Sequence, residues 1–164
     1  MNSDVLIIGA GPAGVSTWLH LKKYAPPIAD RSVVIDKAVF PRDKCCGDGL
    51  TTLALRELEH LGFDPVTVDD WFDVDGASLR SPSGRSVDVP LIGPGRYAAV
   101  APRLQLDNAL VGLARDAGVD VRDGTAFESI DEADDHVVVS AGGRTIAARY
   151  VVAADGMWSP VRKA

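Results

Sequence analysis

Apolar residues along this chain form either short continuous runs or segments with helical spacing. Two continuous runs near the start, at 4–9 and 32–36, predict buried strands because neither has a polar face. Between them, residues 12–24 predict a helix that ends before two prolines. A strand, a glycine turn, a helix and a second strand make a βαβ unit, which implies parallel strands and a right-handed crossover.

The pattern changes in the rest of the chain, where helical and alternating segments follow one another. These segments predict helices at 51–61 and 104–117, a β-hairpin at 74–91, a strand at 119–121, an antiparallel meander at 126–148 and a third buried run at 150–154. In the helix at 51–61, four leucines are expected on one side: Leu50, Leu53, Leu58 and Leu61. The predicted fold class is therefore α/β, a Rossmann-like βαβ sheet with an antiparallel meander and part of a second β-sheet.

Composition narrows the possible classes of protein. The formal net charge is −6 with no cluster of lysines and arginines, which argues against a general nucleic-acid-binding protein. The start of the chain shows no signal-peptide pattern, and no apolar run approaches the length that spans a bilayer. With two cysteines the default expectation is a cytoplasmic protein.

The last residues, beginning at Ser159-Pro160, predict the start of a helix, so we expect a fragment that continues past Ala164.

A glycine-rich turn follows the first predicted strand and opens the first helix. The segment 9–14 reads Gly-Ala-Gly-Pro-Ala-Gly, which matches G-x-G-x-x-G in the context that dinucleotide binding requires. The helix N-terminus would hold a pyrophosphate through free N–H groups and a partial positive charge. Asp36 ends the second strand at about the spacing expected for a carboxylate that accepts ribose hydroxyls. These residues leave open whether the dinucleotide is NAD(P) or FAD.

Four segments in a fixed order extend the similarity over most of the chain. They are "DVLIIGAGPAG" at the start, "FPRDKCCGDGL" after Asp36, Arg103 at a helix start, and "VVAADGMWSPVRK" at the end. In this order they resemble the FAD-dependent oxidoreductases of the aromatic-ring hydroxylase-like group. Within that group, "FPRDK-x-CGDGL" most resembles the geranylgeranyl reductase family, which has menaquinone-reducing members. The resemblance implies that residues 1–70 and 101–164 form an incomplete FAD-binding domain, and residues 71–100 a hairpin of the substrate domain.

The resemblance also implies a role for individual residues, all of them at the cofactor. The expected cofactor-binding residues are Gly9, Gly11, Ala13 and Gly14 at the pyrophosphate, Asp36 at the adenosine ribose, Ala126 near the adenine, Cys46, Gly47 and Gly49 along the flavin, Arg103 from its helix start, and Asp155 and Gly156 near FAD and NAD(P)H. An arginine at a helix N-terminus is unfavourable as a cap, which independently suggests an anionic partner for Arg103. Trp158, beside the Asp-Gly pair, could line the active site, but packing in the core is the expected role.

The adjacent cysteines Cys45 and Cys46 allow several interpretations. A zinc site is disfavoured because no histidine or cysteine partner lies at ligand spacing, and a disulfide between neighbours is strained. The resemblance places Cys46 beside the flavin, where it is also the candidate catalytic residue. Whether its thiol reacts stays open. Cys45 stands where relatives often have proline or a small residue, and the sequence assigns it no role. No metal site is predicted.

The expected activity is that of a flavoprotein oxidoreductase. Hydride would pass from NAD(P)H to the flavin and then to a carbon–carbon double bond of a prenyl lipid. Such a substrate would bring the enzyme to a membrane surface peripherally. The alternatives are a monooxygenase or halogenase on the same FAD platform, acting on a small molecule, and a truncated FAD-binding fragment without turnover.

Overall fold

The computed structural model describes residues 2–91 and 98–164. The chain divides into two compact units, one made of Met1–Arg42 and Asp107–Ala164 and the other of Asp43–Leu106. The second unit holds the predicted substrate-domain hairpin and also residues 43–70, which the sequence had suggested for the FAD-binding domain. The predicted domain boundaries stay a prediction, and residues 92–97 of that hairpin portion lie outside the described residues.

Short strands outnumber helices in the residues that the structure describes. The strands are β1 (Asn2–Ile8), β2 (Ser32–Ile35), β3 (Gly49–Thr51), β4 (Phe72–Val74), β5 (Gly76–Arg80), β6 (Ser86–Pro90), β7 (Ala98–Val100), β8 (Asp120–Arg122), β9 (Phe127–Glu132), β10 (Val137–Ala141) and β11 (Arg144–Ala153). The helices are α1 (Pro12–Tyr24), α2 (Pro26–Ala29), α3 (Thr52–His60) and α4 (Arg103–Asp116), with 3₁₀ turns at Pro65–Thr67 and Val161–Lys163. The short turn at Val161–Lys163 is what the structure has where the sequence predicted a helix start.

The first unit is built on a six-stranded sheet in the order β8-β2-β1-β11-β10-β9. The strands β8, β2, β1 and β11 pair in parallel, and β11, β10 and β9 pair antiparallel. This confirms the predicted βαβ unit with its antiparallel meander. One prediction was wrong: the third buried run is not separate from the meander. Residues 144–153 form one strand, whose beginning pairs with β10 and whose end pairs with β1.

The core explains why the first strand reads as a continuous apolar run. Leu6 and Ile8 lie in a cluster with apolar residues of β2, β10 and β11, while Val5 and Ile7 on the opposite face are also buried. Trp18 of α1 is almost fully buried, and its indole Nε1–H donates to the Ala29 carbonyl at 3.3 Å. Both faces are buried over Val5–Ile8, so this part of β1 carries only apolar side chains, as expected for a parallel strand.

The described residues of the second unit include two small sheets, helix α3, the 3₁₀ turn and the start of α4. Its sheets are β3-β7-β4 and the β5–β6 hairpin, whose turn lies at the predicted Ser-Pro-Ser-Gly segment. Helix α3 begins as predicted, with the Thr51 hydroxyl accepting from the Ala54 N–H. The predicted apolar side was partly wrong, because Leu53 is exposed and Leu55 is the buried leucine. Packing of α3 against β3 and β7 selects that side.

Two glycines with equal space around them should respond oppositely to alanine. Gly112 lies inside α4 and Gly62 follows α3 with φ +80°, and a Cβ at either position would meet no atom within 4 Å. We expect Gly112→Ala to stabilise the protein by about 0.5–1 kcal/mol, because alanine loses less backbone entropy in a helix. Gly62→Ala should destabilise it, because its left-handed conformation disfavours a side chain. Urea unfolding of both variants measures the difference, and equal shifts of both midpoints would contradict it.

Candidate functional site

Two glycines of the turn after β1 are required by close backbone contacts. Gly9 has φ +107°, and a Cβ there would lie 2.4 Å from the carbonyl oxygen of Ala154. A Cβ on Gly14 would lie 1.8 Å from the carbonyl oxygen of Gly9. The first contact sets the turn against the end of β11, and the second sets α1 against the turn. Both agree with the roles that G-x-G-x-x-G assigns to its first and third glycines.

The N-terminus of α1 has the properties of an anion-binding site. Gly11 is the N-cap in an extended conformation, and no side chain caps the helix. The next residue, Pro12, has no N–H. Ala13 and Gly14 have N–H groups for which the first turn of the helix offers no acceptor. Ala13 is exposed and Gly11 is half-buried. The first turn can therefore receive a phosphate from solvent, with the helix dipole favouring its charge.

Asp36 holds the glycine turn in place through its carboxylate. One oxygen, Oδ2, accepts from the N–H of Ala10 at 2.7 Å, and Oδ1 accepts from the N–H of Ala38 at 2.8 Å. The residue is buried, with 9% of its surface exposed. An ionised carboxylate has about four acceptor positions, so both oxygens keep capacity for ribose hydroxyls. Within the protein, Asp36 therefore joins the end of β2 to the glycine turn, and its contact with ribose stays a prediction.

The Asp155-Gly156 pair lies next to the same turn. The N–H of Ala154 donates to the carbonyl of Ile8 at 2.8 Å, so the ends of β11 and β1 are adjacent. Asp155 accepts from the N–H of Val161 through Oδ2 at 3.2 Å, and Gly156 has φ +88°. These contacts form a tight reversal at the carboxyl edge of the sheet, the edge at which open α/β sheets bind ligands. Trp158 is 74% exposed, so its predicted core position was wrong.

Ala126 lies between β8 and β9 at the same side of the unit as the ends of β2 and β8. The N–H of Thr125 donates to the carbonyl of Asp36 at 2.7 Å, and the carbonyl of Ala126 accepts from the N–H of Gly142 at 2.9 Å. A cavity of about 360 Å³ adjoins this segment, lined by residues 122–125 and by residues of the β10–β11 turn. Ala126 itself is exposed beside this cavity.

In the second unit, Cys46 and Arg103 contact each other. Asp48, with φ +55°, accepts from the N–H of Ala101 through its carbonyl at 3.0 Å, which ties the cysteine loop to the segment before α4. A hydrogen bond with the Asp48 backbone lowers the pKa of the Cys46 thiol below its usual value, and a hydrogen bond from the Arg103 side chain lowers it further. Within this unit, the Arg103 side chain therefore has the Cys46 sulfur as a hydrogen-bond partner.

Neither Gly47 nor Gly49 is explained by contacts of the protein with itself. A Cβ on Gly47 would meet no atom within 4 Å, and one on Gly49 would have ordinary contact with the Gly47 carbonyl at 3.8 Å. Neither residue has the positive φ that requires glycine. The open space at Gly47 and Gly49 contrasts with the close backbone contacts of Gly9 and Gly14. It is what a loop that leaves room for a flat ligand would have.

The sequence did not indicate the residues that fix the Phe-Pro-Arg segment before the cysteines. The Phe40 N–H donates to Asp123 Oδ2 at 3.2 Å, and Arg42 Nη1 lies 2.8 Å from Asp107 Oδ2. The Asp107 side chain has no exposed surface, and Arg42 Nη1 is buried without a well-directed hydrogen bond, so the contact is mainly ionic. The signal that could have found Asp107 is a carboxylate beside Leu106 in the apolar stripe of α4.

The structure brings most of the predicted cofactor residues to one sheet edge in the first unit. These are Gly9, Gly11, Ala13, Gly14, Asp36, Ala126, Asp155 and Gly156, whereas Cys46, Gly47, Gly49 and Arg103 belong to the second unit. The donors at α1 and the acceptors of Asp36 suit the diphosphate and ribose of a dinucleotide. Over 2–91 and 98–164, no group of three histidine, cysteine or acidic side chains could hold a metal ion.

Several known proteins are similar to this chain in sequence or in fold. Menaquinone reductase of Mycobacterium tuberculosis is 36% identical over 98% of this chain, which spans 39% of that protein. The 12-dehydrotetracycline 5-monooxygenase/anhydrotetracycline 6-monooxygenase of Streptomyces rimosus is 29% identical over 99% of the chain and 32% of its own length. A flavoprotein/dehydrogenase structure from Cytophaga hutchinsonii superposes with a TM-score of 0.77 at 25% identity, covering 92% of this chain and 38% of that one.

The chain thus spans well under half of the curated relatives it matches. The model of one family covers residues 2–164, nearly the whole chain, and that family is the FAD binding domain. The glycine turn and the buried acid lie where a dinucleotide-binding βαβ fold places them, and the Asp155-Gly156 reversal lies at the same edge of the sheet. This chain belongs to the FAD-binding domain family.

Proposed function

We propose that this chain is the cofactor-binding part of a flavin-dependent reductase that hydrogenates a carbon–carbon double bond of a prenyl lipid, of geranylgeranyl or menaquinone type. The observation that carries the FAD-dependent part is the meeting of the 9–14 turn, Asp36 and Asp155 at one sheet edge. The choice of a reductase is supported by the identity to menaquinone reductase and by the segment at 40–50. The electron donor would be NAD(P)H.

The predicted cofactor residues would make different contacts with the cofactor. The first turn of α1 would hold the diphosphate through the N–H groups of Ala13 and Gly14, and Asp36 would accept from the ribose. Gly47 and Gly49 would let the backbone approach the isoalloxazine ring, which when bound carries hydride between NAD(P)H and the lipid. The Asp48 backbone and the Arg103 side chain would lower the pKa of the Cys46 thiol beside that ring. A thiol with a lowered pKa could act as a nucleophile.

A monooxygenase remains the second candidate, because the Streptomyces rimosus relative covers as much of this chain as the reductase does. The two reactions leave different products from the same cofactor. A reductase adds two hydrogen atoms to the substrate, whereas a monooxygenase adds an oxygen atom and consumes molecular oxygen. A fragment that binds FAD without turnover is the third candidate.

The membrane is relevant to this proposal because a prenyl lipid resides there. None of the helices in residues 2–91 and 98–164 has both the length and the apolar character needed to cross a bilayer. We propose peripheral contact with the membrane surface, which sedimentation with vesicles that contain the lipid would detect.

The experiment that tests the proposal combines a binding and a product measurement. The chain is first titrated with FAD to measure binding. It is then supplied with NADH or NADPH and either a menaquinone or geranylgeranyl diphosphate, and the mass of the product is measured by mass spectrometry. A gain of two hydrogen atoms supports the reductase, and a gain of one oxygen supports the monooxygenase. Binding of FAD with an unchanged substrate supports the fragment without turnover. Failure to bind FAD at any concentration would contradict all three.

A variant at Gly47 tests whether the cysteine loop meets the cofactor. Because nothing lies within 4 Å of a Cβ there, Gly47→Val should leave the free energy of unfolding within about 0.5 kcal/mol of the native value. If the ring lies against this residue, its valine methyl groups will clash and the FAD Kd will rise by at least about tenfold. Gly112→Ala is the control with equal space. An unchanged Kd in Gly47→Val would remove the loop from the cofactor site.

A further inference from the structure

The adjacent thiols Cys45 and Cys46 are the complete thiol content of this chain, and both are exposed and reduced. Two neighbouring thiols can react as a unit, because oxidation of one places a partner beside it. The function proposed above places Cys46 beside the flavin, where it could act as a nucleophile, and gives Cys45 no role. The pair therefore calls for a separate chemical explanation.

Backbone pairing ties the cysteine loop to the segment that precedes Arg103. The strands β3 and β7 pair in the register Gly49↔Val100, and the Ala101 N–H donates to the Asp48 carbonyl at 3.0 Å. Arg103 follows two residues later at the start of α4, which brings its guanidinium to hydrogen-bond Cys46. The same loop turns at Asp48 with φ +55°, so its backbone also faces the sulfur.

We propose that Cys45-Cys46 is an oxidation site for hydrogen peroxide, at which Cys46 reacts first and Cys45 then closes a reversible disulfide between the neighbours. The Cys46 thiolate attacks one oxygen of the peroxide, an S–O bond forms, the O–O bond breaks, and hydroxide leaves and becomes water. The Cys45 sulfur then attacks Cys46, the S–S bond forms, the S–O bond breaks, and a second water leaves with the proton of Cys45. In total, two thiols and one peroxide give one disulfide and two waters.

The order of the two steps follows from the surroundings of each sulfur. The Asp48 backbone and Arg103 lower the pKa of Cys46, which raises the fraction of thiolate, the reactive form. A disulfide between neighbours is strained, and strained, exposed disulfides have the more oxidising potentials typical of regulatory bonds. Strain therefore explains why the resting state is the dithiol and predicts that mild reductants restore it. The open space around Gly47 gives the loop room to rearrange.

The test measures thiols and mass, so it does not depend on FAD or on activity. The chain is treated with hydrogen peroxide, its free thiols are titrated, and the tryptic peptide 45–56, which holds both cysteines, is weighed. We expect two thiols lost for each peroxide consumed, with the peptide lighter by two hydrogen atoms and restored by dithiothreitol. Dimers linked between chains, or a peptide that gains oxygen while Cys45 stays reduced, would overturn the proposal.

Three variants separate the two cysteines and the role of Arg103. Cys45→Ser should stop at a sulfenic acid on Cys46 that a 1,3-diketone traps, and Cys46→Ser should react at least about tenfold more slowly than the native chain. In the Cys45→Ser background, Arg103→Gln should slow the reaction of Cys46 with peroxide roughly three- to tenfold, and Arg103→Lys should slow it less. The decrease is moderate because a higher pKa reduces the fraction of thiolate but makes the remaining thiolate more nucleophilic. In the urea-unfolded chain, the Arg103 substitutions should no longer change the rate of the reaction with peroxide. Equal rates for Cys45→Ser and Cys46→Ser, or an Arg103 effect that survives unfolding, would overturn the assignment.

Discussion

Asp107→Ala is expected to lower the free energy of unfolding by about 3–5 kcal/mol, the largest loss of stability we predict for a single substitution. The Asp107 side chain is fully buried, and its carboxylate lies 2.8 Å from the guanidinium of Arg42, which is itself only 16% exposed. Removing the carboxylate leaves a buried cation without its counter-charge. The loss should appear as a lower urea midpoint with an unchanged m-value.

Two controls distinguish the buried charge from the loss of side-chain volume. The double variant Arg42→Met/Asp107→Leu removes both charges and should recover most of the stability, since burying a matched apolar pair costs little. Asp30→Ala breaks the surface ion pair between Lys22 and Asp30, whose side chains are 36% and 59% exposed, respectively. This substitution should lower the free energy of unfolding by less than about 1 kcal/mol. If the double variant were as unstable as Asp107→Ala, the ion pair would not be the cause.

Asp36→Ala should have the second largest effect, which combines lost stability with lost cofactor binding. The variant leaves the N–H of the fully buried Ala10 without the acceptor that it has at 2.7 Å. An unsatisfied buried donor costs about 1–3 kcal/mol. The glycine turn would also lose its link to β2, and the cofactor its ribose acceptor, so we expect the FAD Kd to rise by about 100-fold or more.

The amide variant and a matched surface site make the Asp36 prediction specific. Asp36→Asn keeps one acceptor oxygen but presents its NH₂ group to the second donor, so its effects should lie between those of the native residue and alanine. Asp64 accepts from the Val66 N–H at 3.0 Å in an exposed turn, and Asp64→Ala should reduce stability slightly without changing FAD affinity. Equal FAD affinities in the native chain and Asp36→Ala would show that Asp36 does not meet the ribose.

The sequence predicted those parts of the fold whose signals are local. Continuous apolar runs, the spacing of Gly9 to Gly14 and the position of Asp36 defined the βαβ unit, because strand burial and turn geometry act over a few residues. The length of β11 was missed, because Arg149 interrupts the apolar pattern where the strand changes from an antiparallel to a parallel partner. The strands β3, β4 and β7 are three residues each, too short to show a period.

Contacts between distant residues could not be read from the sequence. Asp36 was expected to bind ribose, but its bond to the Ala10 N–H joins residues 26 positions apart and depends on the parallel pairing of β1 with β2. The Arg42–Asp107 pair likewise exists only after the chain has folded. The proximity of Arg103 to Cys46 follows from the register of β3 with β7, which no local pattern specifies.

The most direct measurement of the central claim is an NMR titration of the ¹⁵N-labelled chain with FAD, and with ADP for the diphosphate alone. If the diphosphate lies over the first turn of α1, both ligands will shift the amide resonances of Gly11, Ala13 and Gly14 most, and FAD alone will also shift those of Gly47 and Gly49. If the largest shifts with ADP fall elsewhere and the resonances of the 9–14 turn stay in place, the account of this site is wrong.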